Sequence, residues 1–196
     1  MVRLYGKAPY EAVLVHGGSG AIGSLKGFAE ELIEELFCQI KIHCTSKVSL
    51  IGHSWGAWLV ALFAEKYPEI VKNVILIGCA PLEDNYCLEN REKHRADRTD
   101  SEMHNKVWSE AAKLRSSGKL LTSSQNIKSK IYLIQGESDP HPVNGVTIPL
   151  QENGVQCETY VLEKCGHSPF MEKYVKDEFY KILIRAIGEK NNDRAN

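Results

Sequence analysis

A chain of 196 residues has the length of one domain and can close a single hydrophobic core. Its 24 Lys and Arg against 25 Asp and Glu give a formal net charge of -1, which excludes the basic field of a nucleic-acid binder. Apolar runs such as Val74-Ile75-Leu76-Ile77 fall far short of the ~20 residues of a membrane helix, and the first residues, Met1-Val2-Arg3-Leu4-Tyr5-Gly6-Lys7, lack the apolar stretch of a secretory signal. Neither nucleic acid nor a membrane is therefore an expected partner, and the expected location is cytoplasmic.

Ala12 to Val15 is an apolar run that stops at His16-Gly17-Gly18-Ser19-Gly20, the pattern of a buried strand ending in a glycine-rich turn. From Ser24, apolar residues at Leu25, Phe28, Leu32, Ile33, Leu36 and Ile40 recur with the helical period, and the helix should run to about His43. A strand over Val48 to Ile51 leads directly into Gly52-His53-Ser54-Trp55-Gly56 and then a helix from about Ala57 that stops near Tyr67-Pro68. The alternation continues with a strand over Val74 to Ile77, a charged insertion, a strand over Ile131 to Ile134, a short helix over Val146 to Glu152 and a strand over Glu158 to Leu162. Ser168-Pro169 reads as a cap and first position of a terminal helix carrying Phe170, Tyr174, Val175, Phe179, Ile182, Leu183 and Ile187. Beyond Gly188 no apolar period remains. Strands and helices in alternation imply parallel βαβ units, an α/β fold.

The six cysteines, Cys38, Cys44, Cys79, Cys87, Cys157 and Cys165, are scattered and include no Cys-x-x-Cys pair, so they are read as reduced. Grouped with His43 or His167 they match no common zinc spacing, and no metal site is expected.

The chemistry concentrates where strands end. In Gly52-His53-Ser54-Trp55-Gly56 a serine sits between a strand and a helix with a glycine two residues away on each side. A serine lifted on a strained turn needs small neighbours there, and the following helix aims its N-terminal dipole at charge developing on the serine's edge. A serine hydroxyl needs a base to take its proton. His167 is the histidine that follows a strand through a short turn, Glu163-Lys164-Cys165-Gly166, and directly precedes a helix, whereas His43, His94 and His104 lie on predicted helices. The acid that orients the base should follow an earlier strand. Asp139, in Gly136-Glu137-Ser138-Asp139-Pro140, is the choice, with Glu137 or Glu83-Asp84 as alternatives. Backbone donors for an oxyanion are expected from Trp55 and Gly18. The phosphate-cradling pattern Gly-x-x-x-x-Gly-Lys-Ser/Thr is absent.

Strand-His-Gly-Gly, Gly-His-Ser-Trp-Gly, Gly-Glu-Ser-Asp-Pro and Cys-Gly-His, in this order, resemble the α/β-hydrolase superfamily over about residues 10–188. The resemblance implies a three-layer α/β-hydrolase fold, no cofactor, a triad in the chain order Ser54, Asp139, His167, and a small helical lid over about residues 80–127. Within the lid, Thr99-Asp100-Ser101-Glu102 is a capping-box signal followed by Met103, Val107, Ala111 and Leu114 at helical spacing. The His-Gly-Gly loop is similar to that of prolyl aminopeptidases, with Ser19 where those enzymes carry proline. One departure stands out: a single helix separates the first strand from the elbow strand, where the family inserts helix, strand and helix. The expected sheet is therefore reduced to five parallel strands, with room for a sixth near Arg3 to Tyr5. The exposed edge this creates invites pairing, and a homodimer is the partner hypothesis that follows.

These readings point to a serine hydrolase acting on a small ester, thioester or amide, with a small acyl compound as its partner. Aminopeptidase activity is the related alternative, and a non-catalytic hydrolase-fold remnant is the alternative of a different class.

Overall fold

The computed structural model describes residues 3–17, 25–83, 109, 112–118, 120 and 124–188, with the side chains of the first helix described from residue 32. Strands β1 (Ala12–Val15), β2 (Val48–His53), β3 (Val71–Ile77), β4 (Lys130–Gly136) and β5 (Cys157–Leu162) alternate with helices α1 (Leu25–His43), α2 (Trp55–Lys66), α3 (Asn144–Glu152) and α4 (Lys176–Gly188). All neighbours pair in parallel, and the five strands lie in chain order, β1-β2-β3-β4-β5. Among the described residues, α1 is the one element between β1 and the adjacent β2, a single crossover where the resembled family has a longer insertion.

Two apolar layers cover the sheet. Val48, Leu50, Val74, Leu76, Ile131 and Leu133 face Ile33 and Ile40 of α1, Val60 and Phe63 of α2, and Val146 and Leu150 of α3. On the opposite face Ile51, Ile75, Ile77, Tyr132 and Ile134 pack under Phe179, Leu183 and Ala186 of α4. Each fully covered Leu, Ile or Phe contributes roughly 1.5–3 kcal/mol of transfer free energy, and the strands most completely covered, β2, β3 and β4, hold the centre. The sheet also satisfies the C-terminal carbonyls of α4: Asn73 Nδ2 donates to Ala186 O at 2.7 Å and Lys72 Nζ to Ile187 O at 2.7 Å.

Coverage fails at β1. Leu14 pairs in register with Ile51 and so points to the α4 face, where Ala12 packs on the core, yet Leu14 itself is 73% exposed.

Two expectations are corrected. Residues 3–5 form no strand: Leu4 and Tyr5 stand exposed and the chain bends away before it can pair with β1. The terminal helix does not start at Ser168-Pro169. Ser168 makes no side-chain cap bond, Pro169–Met171 is a single 3-10 turn, and α4 begins at Lys176, where Asp177 and Glu178 suit the first-turn dipole. Of the anticipated lid, residues 112–116 are helical, Leu120 is buried and Ser124–Asn126 is a 3-10 turn, while the capping box at Thr99-Asp100-Ser101-Glu102 lies outside the described residues. No described helix is long and apolar enough to cross a membrane.

Candidate active site

The C-terminal ends of β1, β2, β3, β4 and β5 share one edge of the sheet, and the reactive side chains lie there. Ser54 follows β2 with φ 56° and ψ -120°, a left-handed backbone that costs a non-glycine residue on the order of 1–3 kcal/mol. Its N–H donates to Ile77 O of β3 at 2.9 Å, which pins the turn to the neighbouring strand. The flanking glycines are sterically obligatory: a Cβ on Gly52 would stand 2.3 Å from Gly56 O, and one on Gly56 would stand 2.3 Å from Val15 O. Helix α2 starts at once with Trp55, so the serine sits on a helix N-terminus.

Gly17 approaches from β1. A Cβ there would lie 2.5 Å from Ser54 Cβ and 2.6 Å from His53 O, so the loop after β1 packs its backbone directly on the Ser54 turn. Gly18, expected to supply an oxyanion donor, lies outside the described residues.

Asp139 follows β4. Its side chain is fully buried, and Oδ2 accepts from His167 Nδ1 at 3.0 Å. Oδ1 accepts the His141 N–H at 2.9 Å, and His141 Nδ1 lies 3.1 Å away but off hydrogen-bond geometry, an electrostatic contact. Burial alone would raise this carboxyl, but the close His141 imidazole and the bonds from the His167 imidazole and the His141 N–H outweigh it and hold Asp139 well below the usual carboxylate range. The loop is braced from beneath by fully buried Gln135, which accepts from Cys79 N at 3.1 Å and donates to His141 O at 2.8 Å.

Glu137, the alternative acid, does not touch an imidazole: its Oε2 accepts the Lys164 N–H at 3.0 Å and so fixes the turn that carries His167. Glu83 is half-buried and Asp84 lies outside the described residues. The His167 ring is flanked by His141 at 5.1 Å and His53 at 4.9 Å between centroids. Among the described hydrogen bonds none joins Ser54 Oγ to His167.

Asp139, His141 and His167 are the described residues whose ligand atoms, within 4.8 Å of one another, could share a cation, but Asp139 Oδ2 and His167 Nδ1 are already engaged with each other. Burial pushes the Cys157 and Cys165 thiols up to about 11, so neither offers a thiolate nucleophile at neutral pH. The five described cysteines are all free.

A parallel sheet with a strained serine between a central strand and its helix defines the α/β-hydrolase fold. A family model described as alpha/beta hydrolase fold matches residues 27–102. A carboxylesterase structure from Nitrososphaera gargenis shares 18% identity and a TM-score of 0.67, over 92% of this chain and 90% of that one. The 2-hydroxy-6-oxo-6-phenylhexa-2,4-dienoate hydrolase of Rhodococcus sp. strain RHA1 shares 15% identity and a TM-score of 0.66, over 92% of both chains. Paleococcus ferrophilus monoacylglycerol lipase shares 18% identity and a TM-score of 0.58, over 90% of this chain and 93% of that one. Comparison with curated protein sequences finds no match. The chain has the α/β-hydrolase fold, with a five-stranded sheet.

Sequence reasoning missed His53, His141, Gln135 and Gly17. Each sits at a strand's C-terminal end or within five residues of it on the site's edge, and that position is the signal that points to them.

Proposed function

We propose that this chain is a serine hydrolase that cleaves a small ester, thioester or amide through an acyl-Ser54 intermediate. The observation that carries the reading is the pairing of a strained serine at φ 56° with a buried Asp139 that accepts His167 Nδ1–H at 3.0 Å on the same sheet edge. Asp139 fixes the imidazole with its proton on Nδ1, which leaves Nε2 unprotonated and free to accept the Ser54 proton as Oγ attacks the acyl carbon. The oxyanion is held by the Trp55 N–H at the start of α2 and by the Gly18 N–H. His167 then protonates the leaving group, and water, activated by the same base, releases the acid. The fully buried carboxylate offsets the charge that His167 gains in both steps.

The test is turnover of short-chain p-nitrophenyl esters beside aminoacyl anilides, with Ser54→Ala as control. Ester turnover without anilide turnover is the expected result; anilide turnover alone would favour the aminopeptidase reading. One observation favours a catalytically silent remnant, the unmade bond between Ser54 Oγ and His167. That reading predicts that a folded wild type turns over neither substrate above the Ser54→Ala background.

A further inference from the structure

His53 stands between the nucleophile and the base. It is the last residue of β2, immediately before Ser54, and its side chain points to the α4 face, where it meets the loop that carries His167. Its Nε2 lies 3.0 Å from the His167 carbonyl oxygen. A carbonyl only accepts, so Nε2 carries the proton and the tautomer is fixed by the contact. The ring is held edge-on by Phe170 at 5.0 Å and 86° and stacks obliquely on His167 at 4.9 Å. From the other side, Gly78 presses on the same carbonyl: a Cβ there would stand 2.7 Å from His167 O and 3.0 Å from Nδ1.

We infer that His53 is a positioning residue, whose Nε2–H bond to the His167 carbonyl locks the base's backbone to the strand end that carries the nucleophile. The inference rests on the hydrolase reading for its kinetic consequence but not for the contact itself. One residue step then fixes two things: the Ser54 backbone through the turn, and the His167 backbone through the preceding side chain. Asp139 sets the rotation of the imidazole at Nδ1, and His53 with Gly78 sets where the ring starts from. Burial keeps His53 below the ordinary imidazole value despite the opposing pull of its own hydrogen bond, so the clamp is neutral at neutral pH. A neutral donor is what the site requires. The groups facing it are His167, His141 and Asp139, and a second cation beside His167 would oppose the charge the base must take up.

The test uses His53→Phe, which keeps an aromatic ring and loses the donor, and His53→Gln, whose amide nitrogen can reach the Nε2 position. Both are checked for folding by thermal melting. His53→Phe should lower kcat on a short-chain ester by ~10–100-fold with KM changed by less than ~3-fold, the scale of a misplaced catalytic group. His53→Gln should recover most of that loss. Hydrogen exchange on the full chain supplies a readout free of activity: residues 163–170 should exchange faster in His53→Phe and be protected again in His53→Gln. Wild-type kcat and exchange in a folded His53→Phe would overturn the inference, and so would His53→Gln as impaired as His53→Phe. If wild type proves inactive, the hydrolase reading alone fails, and the exchange comparison still decides the clamp.

Discussion

Strands β2, β3 and β4 are buried at nearly every position, whereas β1 is covered on one face and leaves Leu14 73% exposed on the other. The site draws on both kinds of support. Ser54 and Asp139 leave from β2 and β4, inside two apolar layers, while the glycine loop that packs on Ser54 leaves from the half-covered β1, and His167 leaves from the other edge strand, β5. Groups that must hold a fixed geometry thus stand on the rigid centre, and those on the edges are tied back to it. Glu137 from the β4 end caps Lys164, and His53 from the β2 end holds the His167 carbonyl.

The largest effect that would sharpen this contrast is expected at the centre. Asp139→Asn should lower kcat by ~10⁴-fold, by releasing His167 into the wrong tautomer. The same variant carries a stability signature. The Asp139 carboxyl is held below its ordinary value of 3.8, so its contribution to stability is complete above that value and is lost progressively as pH falls below it toward the lower folded-state value. The gap in melting temperature between wild type and Asp139→Asn should therefore be wide at pH 7 and close on acidification below 3.8.

Leu133→Ala, in the fully buried middle of β4, should destabilise by ~2–5 kcal/mol in urea unfolding, through lost burial and the cavity left behind. Gln135→Leu should cost about 1–3 kcal/mol, because the Cys79 N–H and the His141 carbonyl lose their buried partner. It should also slow turnover, since the Asp139 loop rests on that side chain. Leu14→Ala should change stability by no more than ~0.5 kcal/mol. A large loss there would break the contrast, by showing that something covers the outer face of β1.

What the sequence made legible follows the range of the forces involved. The elbow is local: two glycines, one serine and the change from strand to helix all lie within Gly52–Gly56, and sterics across the turn dictate them. The parallel pairing of β2 with β3 and of β4 with β5 is nearly local too, because α2 and α3 each return the chain to the next strand. Choosing among Asp139, Glu137 and Glu83 was not local. It depends on which carboxylate the β4 turn sends inward, and the turn sends Asp139 toward the imidazoles and Glu137 toward Lys164 N. His53 was hidden for the same reason, since its partner lies 114 residues away across strand ends, on His167. The terminal helix was misread because Ser168-Pro169 carries a strong local start signal. Pro169–Met171 answers it with one turn, and packing of Phe179 and Leu183 on the sheet decides where α4 forms.

The most direct test of the central claim is intact-mass spectrometry after treatment with a fluorophosphonate, on folded wild type and on Ser54→Ala. An activated Ser54 predicts one covalent adduct on wild type and none on the variant. A folded wild type that takes no adduct, or a variant that takes the same one, would contradict it.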